Sequence, residues 1–291
     1  MGNDKTKQKR SKKIKEFDEL TITDDFMFGA VMSDPKRCKP LLEYILGIKI
    51  IKIEYAEKQK VIDLEYRAKG VRLDLHIIDD KGVVYNVEIQ TGANDNLPKR
   101  IRYYHDVLDL NLLKKSADYE ALPKCYVIFI CTFDFFEKSR YMYTFKRQCQ
   151  EDASVYLNDE AITIVLNTQG TVGDIDDELR NALRYMAGQT PTGKYATDLD
   201  KAVKEVKESD EWRAGYMNYT VKLRDHERAA QRLGALESKV ASVRNHKGKL
   251  PDDTIISILD LDKNQFIEIS DMIDNYPDWT DEDIAADIIG E

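Results

Sequence analysis

Two carboxylates, Asp74 and Glu88, lie in neighbouring short segments whose pattern predicts the two strands of a β-hairpin. Both segments, residues 71–79 and 83–90, alternate apolar and polar side chains, which is typical of half-buried strands. The loop between them, residues 80–82, ends in a glycine suited to the left-handed conformation and places Asp74 opposite Glu88. Like charges in that position cost stability unless a cation lies between them. The pattern therefore predicts a divalent metal site, and hard carboxylate oxygens favour Mg²⁺ or Mn²⁺.

The two faces of this hairpin have different predicted environments. Gln90 follows Glu88 by two residues and so belongs to the polar face with Asp74. The apolar face, which we expect to be buried, comprises Leu73, Leu75, Ile77, Tyr85, Val87 and Ile89. The alternative to a metal site is a solvated polar face, because Asp and Glu commonly lie on exposed strands.

The elements around the hairpin predict an α/β fold. We expect helices over 24–32, 36–46, 98–113 and 176–186, and further strands over 48–55, 59–66, 126–132, 140–150 and 161–167. The segment 126–132 is apolar throughout, as in a strand at the centre of a sheet covered on both faces. The order predicts a mixed central sheet flanked by helices.

We predict four segments along the chain. Residues 1–16 are a disordered basic tail, which either binds phosphates or only promotes solubility, and residues 17–195 are the α/β core. Residues 196–246 are a charged helical segment, one helix or two, whose 198–241 stretch is a candidate for homodimerisation. Residues 247–291 are a small acidic helical module.

Composition limits the possible environments. No apolar run approaches the roughly 20 residues that a membrane helix needs, so we expect no membrane partner. The cysteines, which lack metal-ligand spacing, are expected to be reduced thiols in a cytoplasmic protein: Cys38, Cys125, Cys131 and Cys149. The net charge of −9 disfavours DNA binding, but the acidic residues are concentrated near the C-terminus, away from the hairpin.

An aspartate, a hairpin and then Glu-x-Lys form the core motif of the PD-(D/E)XK nucleases. With Glu-x-Gln in that place, the hairpin sequence RLDLHIIDDKGVVYNVEIQ resembles the Rpn family of recombination-promoting nucleases and transposases. Three further stretches carry the resemblance: residues 23–28, residues 99–104, and residues 119–123 leading into 125–133. Their order and spacing agree over roughly residues 20–235, and the resemblance implies a restriction-endonuclease-like core with a C-terminal helical extension.

The resemblance implies roles for residues around the carboxylate pair. The carbonyl of Ile89 would be an extra metal ligand, and Gln90 would position the attacking water where the superfamily has a lysine, unless it is an ordinary polar residue. Asp25 matches an acidic position on the first helix, where it would add a ligand or hold a water. A helix-capping role is the alternative for Asp25, and Asp24 competes for either role.

The helix after the hairpin supplies the cations. By the resemblance, Arg100 would clamp the scissile phosphate, while Lys99 and Arg102 would follow the DNA backbone. The alternative is a surface helix with solvated cations. One of Tyr103 and Tyr104 is expected in the core.

Together these features predict a cytoplasmic, metal-dependent DNA endonuclease that hydrolyses phosphodiester bonds. The resemblance links it to recombination, mobile elements or defence. Its first rival is a degenerate member that binds DNA or a protein without cleaving, which Gln90 and the net charge favour. Its second rival is an interaction protein built on the acidic C-terminal helices.

Overall fold

The computed structural model describes residues 14–62, 71–92, 96–114 and 116–290. The strands are β1 (Ile53–Ile62), β2 (Val71–Asp79), β3 (Val84–Gln90), β4 (Cys125–Cys131), β5 (Met142–Phe145) and β6 (Ala161–Asn167). The helices are α1 (Asp25–Met32), α2 (Pro35–Leu46), α3 (Leu97–Leu112), α4 (Asp177–Met186), α5 (Lys194–Glu208), α6 (Asp210–His246), α7 (Asp252–Leu259), α8 (Lys263–Asn275) and α9 (Asp281–Ile289), with short 3₁₀ turns at Phe17–Glu19 and Tyr119–Ala121.

The described strands form one mixed sheet in the order β1-β2-β3-β4-β6-β5. Strands β1, β2 and β3 pair antiparallel, β3, β4 and β6 pair parallel, and β5 pairs antiparallel with β6 at the edge. The all-apolar β4 lies in the middle and is buried along nearly its whole length, as its sequence predicts. The predicted α/β core with a mixed sheet flanked by helices is confirmed.

The hairpin has the predicted register. Leu75 lies opposite Val87 and Ile77 opposite Tyr85, and Gly82 in the loop has a φ of 76°. The prediction of a half-buried hairpin is wrong, however, because the polar face is buried as well as the apolar one. Helix α3 covers the polar face and packs its apolar residues against β4.

Three predicted element boundaries are corrected. The two strands expected over 48–55 and 59–66 are one strand, β1, because β1 pairs with β2 from Ile53 to Ile62. The pairing shifts register once, between Ile53 and Tyr55. Residues 63–66 lie outside the described residues. The strand expected over 140–150 contracts to β5, since pairing with β6 stops at Phe145. Of the predicted basic tail, residues 1–13 lie outside the described residues, and Lys15 contacts Asp24 at 2.8 Å.

The chain divides into two compact units, residues 1–216 and 217–291, with the division inside α6. In the first unit, α5 packs against α1 and α4. The second unit has its own apolar core, made by the end of α6 and helices α7, α8 and α9. The fourfold division at residues 16, 195 and 246 stays a prediction. Within the described ranges, no helix is long and apolar enough to cross a membrane.

Candidate nuclease site

Asp74 and Glu88 are adjacent across the hairpin, and each accepts a hydrogen bond from the other strand. The amide of Asp74 donates to Glu88 Oε1 at 3.0 Å, and the amide of Ile89 donates to Asp74 Oδ2 at 3.1 Å. Regular pairing of the two strands ends one position earlier, at Leu75 and Val87. At this end of the hairpin, the backbone amides of Asp74 and Ile89 therefore donate to side-chain carboxylates of the opposite strand and not to backbone carbonyls.

Both carboxylates are removed from solvent. Asp74 is 5% exposed and Glu88 is 0% exposed, so the alternative of a solvated face is excluded. Burial, and then the charge of Asp74, raise the pKa of Glu88 well above its usual range, although the Arg100 guanidinium opposes the shift. Two adjacent buried carboxylates destabilise the folded protein unless a positive charge lies beside them.

Arg100 of α3 supplies that charge. One terminal nitrogen of its guanidinium, Nη2, donates to Glu88 Oε2 at 3.0 Å, and the other, Nη1, donates to Gln90 Oε1 at 2.7 Å. The Tyr104 hydroxyl accepts from Nε at 2.9 Å and from Nη2 at 2.7 Å. The guanidinium carbon also lies 5.0 Å from the ring centroid of Tyr104 and 5.3 Å from that of Phe129. The guanidinium is therefore held on several sides, and a freely solvated Arg100 is excluded.

Gln90 is engaged at both ends of its amide. Its Oε1 accepts from Arg100, and its Nε2 donates to the carbonyl of Gly92 at 2.6 Å. Gln90, which stands where the superfamily has a lysine, is therefore neutral and binds the guanidinium of Arg100. Asn86, on the same face, donates to Glu88 Oε1 at 3.2 Å.

The carboxylate pair is the part of this cluster that could hold a divalent metal. Among the residues that the structure describes, no group of three or more His, Cys, Asp and Glu side chains is placed to hold a metal ion. Asp74 and Glu88 nevertheless fit a hard cation, since they are neighbouring buried carboxylates and carboxylate oxygens are ligands that Mg²⁺ and Mn²⁺ prefer. A metal here would thus have two carboxylate ligands, with the Ile89 carbonyl as the predicted third.

The acidic residues of α1 have separate environments. Asp24 precedes the helix without capping it, since its carboxylate accepts from the amide and hydroxyl of Thr21. Asp25 shares a helix face with Gly29, one turn later. A Cβ built on Gly29 would lie 3.5 Å from the carbonyl oxygen of Asp74, so this face of α1 lies against β2 next to the carboxylate pair.

The remaining residues near the hairpin differ in their exposure to solvent. Lys99 and Arg102 are exposed on α3, as phosphate-binding residues would be. His76, two residues after Asp74 on the same strand face, is buried, and burial lowers its pKa to about 4. The roles of all the predicted site residues stay predictions.

Sequence reasoning missed Tyr104 and Asn86 as parts of this cluster. The spacing in the sequence indicates both contacts. Tyr104 follows Arg100 by four residues and so shares its helical face. Asn86 precedes Glu88 by two residues and so shares its strand face. What the sequence lacks is the orientation of α3 over the sheet.

Comparison with known protein families identifies a family that the chain matches. A family model described as PD-(D/E)XK nuclease family transposase matches residues 23–168, which include the hairpin, α3 and β4. No curated protein and no solved structure matches the chain.

Proposed function

The chain belongs to the PD-(D/E)XK nuclease family transposases, and we propose that it is a metal-dependent endonuclease that hydrolyses phosphodiester bonds of DNA. The observation that carries the proposal is the buried Asp74–Glu88 pair, with Arg100 bound to it. Burial of two like charges is costly, so such a pair is expected to have a function. In this family that function would be to bind the metal that takes part in hydrolysis.

The proposed roles follow the geometry. Asp74, Glu88 and the Ile89 carbonyl would hold Mg²⁺ or Mn²⁺, which when bound supplies a water of lowered pKa and stabilises charge on the phosphate. Gln90 would fix Arg100, and Asp25 would complete the site from α1. Exposed Lys99 and Arg102 would bind backbone phosphates and so position the DNA without reading its sequence.

The wider context is proposed on the same basis. A role of the Rpn kind, in recombination, mobile elements or defence, would follow, with the protein acting in the cytoplasm. One hairpin cuts one strand, so a homodimer through residues 198–241 would supply the second site for a double-strand cut. Sedimentation equilibrium tests that dimer directly.

The deciding experiment is cleavage of supercoiled plasmid with Mg²⁺ or Mn²⁺. We would compare the wild type with Asp74→Ala and Glu88→Ala, using Glu120→Ala, an exposed acid far along the chain, as the matched control. Metal-dependent nicking that is lost in both site variants and kept in the control supports the proposal.

The second candidate function is a degenerate module that binds DNA without cleaving it. Gln90 favours it, because a neutral amide stands where the superfamily has a lysine and both its ends are engaged. Plasmid that is retarded in a gel but never nicked, with either metal, would favour this candidate over the nuclease.

A further inference from the structure

We propose that Arg100 is a resident counter-ion of the carboxylate pair, one that a divalent metal must displace from Glu88, so that Arg100 sets the metal affinity of the site. The inference rests on the proposed function, since it assumes that Asp74 and Glu88 are the metal ligands. It assigns Arg100 a positioning role distinct from a direct clamp on the phosphate.

The first argument is which atom Arg100 occupies. Glu88 Oε1 already accepts from the Asp74 amide and from Asn86, at 3.0 Å and 3.2 Å. Oε2 is the oxygen that faces Arg100, at 3.0 Å. A metal that takes Glu88 as a ligand through Oε2 therefore competes with the guanidinium for the same oxygen, and two cations at one oxygen repel each other.

The second argument is that Arg100 is built to stay near the pair. All three guanidinium nitrogens donate to Glu88, Gln90 or Tyr104, and the side chain is 31% exposed. Such a pre-organised guanidinium loses little entropy on pairing, so it competes more strongly than a solvated cation would.

The third argument concerns where Arg100 goes when it leaves Glu88. Its bonds to Gln90, at 2.7 Å, and to Tyr104, at 2.9 Å through Nε, do not involve the carboxylate. Arg100 can therefore release Glu88 and remain anchored, with an N–H freed for a phosphate oxygen. A lysine at position 90 would instead place a second cation beside it, so the neutral amide suits this exchange.

The experiment measures metal binding by isothermal titration calorimetry on the full chain. We expect Arg100→Gln to bind Mn²⁺ at least about tenfold more tightly than the wild type, because the competing cation is gone. Arg184→Gln, which removes an exposed arginine of α4, should bind Mn²⁺ as the wild type does. Equal or weaker Mn²⁺ binding by Arg100→Gln would overturn the proposal.

A second variant covers the case in which Arg100→Gln fails to fold. Arg100→Lys keeps the charge but loses the planar guanidinium that donates to Glu88 and Gln90 together. Because the ammonium group pairs less well with Glu88, this variant should bind Mn²⁺ more tightly than the wild type does. Affinity below the wild type in a folded Arg100→Lys protein would contradict the competition. Circular dichroism establishes which variants are folded.

The two proposals fail separately. If the wild type nicks plasmid but Arg100→Gln gains no Mn²⁺ affinity, the nuclease stands and the counter-ion role falls. If the wild type neither nicks plasmid nor binds Mn²⁺ while Arg100→Gln does bind it, the counter-ion role stands and the proposed activity of the natural chain falls.

Discussion

The backbone amide of Asp74 donates a 3.0 Å hydrogen bond to the side chain of Glu88. The amide of Ile89 in turn donates to Asp74, so the carboxylates close the end of the hairpin where backbone pairing stops. They therefore stabilise the fold as well as forming the proposed site. Substitutions at these two positions should separate the two contributions.

We expect Asp74→Asn and Glu88→Gln to differ in stability although both lose cleavage. In Asp74→Asn the new side-chain amide can still accept from the Ile89 amide and no longer repels Glu88, so the free energy of unfolding should stay within about 1 kcal/mol of the wild type. Glu88→Gln removes the same repulsion, but its side-chain NH2 group must face either Arg100 or the donors of Asp74 and Asn86, and this mismatch of donors should cost about 2–3 kcal/mol. Plasmid nicking should fall by at least roughly 100-fold in both, about 2.7 kcal/mol of activation barrier.

Urea unfolding followed by fluorescence measures the difference. Trp212 belongs to the first unit and Trp279 to the second, so a Trp279→Phe background reports on the unit that carries the site. Equal destabilisation by Asp74→Asn and Glu88→Gln would show that the donors around Glu88 do not need an acceptor at both of its carboxylate oxygens.

Stability should fall in mild acid because of a buried histidine. Burial, and then the nearby charge of Arg147, lower the pKa of His105 to about 4, whereas an unfolded histidine titrates near 6.5. Between those values the unfolded chain binds a proton that the folded chain does not, so the free energy of unfolding decreases as the pH falls from about 6.5 to 4.

Between pH 7 and pH 4.5, His105→Gln should lose about 1–2 kcal/mol less of its free energy of unfolding than the wild type does. The histidine Nε2 lies 3.0 Å from the Thr163 hydroxyl, a contact that an amide can retain. His226→Gln, at an exposed position of the second unit, is the control. An unchanged slope in His105→Gln would show that the histidine is protonated in the folded state.

Thiol reactivity should distinguish one cysteine from the other three. Burial raises the pKa of Cys38, Cys125 and Cys131 to about 12, so few of these thiols are ionised at pH 8. Cys149 is partly exposed. We expect Ellman's reagent to modify one thiol rapidly in the folded protein and all four in urea, with the rapid phase absent in Cys149→Ser.

Gly29 should resist enlargement because α1 lies close to the sheet there. A Cβ at this position would meet Lys58 Cβ at 3.0 Å, so Gly29→Val should cost about 2 kcal/mol of unfolding free energy. At Gly234 in α6, nothing lies within 4 Å, and Gly234→Ala should gain about 1 kcal/mol through helix propensity. A neutral Gly29→Val in thermal unfolding would mean that α1 can move away from β1.

The hairpin register was predictable from sequence because it depends on local chemistry. A loop of fixed length with glycine in the left-handed conformation determines which residues of the two strands are opposite each other. The end of α2 at Leu46 and the start of α4 at Asp177 were predictable for similar reasons, since Gly47 terminates the first helix and Asp176 caps the second.

The contacts of Arg100 and the burial of the polar face were not predictable in this way. Alternation reports which residues share a strand face, but it does not reveal whether a helix from another part of the chain covers that face. Glu88 is buried because α3 lies over it, and the rotation of α3 depends on the packing of Ile101, Tyr104 and Leu108 against the sheet. That packing is a tertiary property.

The arrangement of the sheet has a consequence for how the chain folds. Asp74, Glu88 and Arg100 lie within 27 consecutive residues, whereas the parallel pairing of β3 with β4 and of β4 with β6 spans longer connections that contain α3 and β5, respectively. Hairpins form in roughly 1–10 μs, and non-local pairing is slower. During refolding we therefore expect the carboxylates to meet while still hydrated, and their dehydration to follow when α3 docks on the sheet that β4 completes.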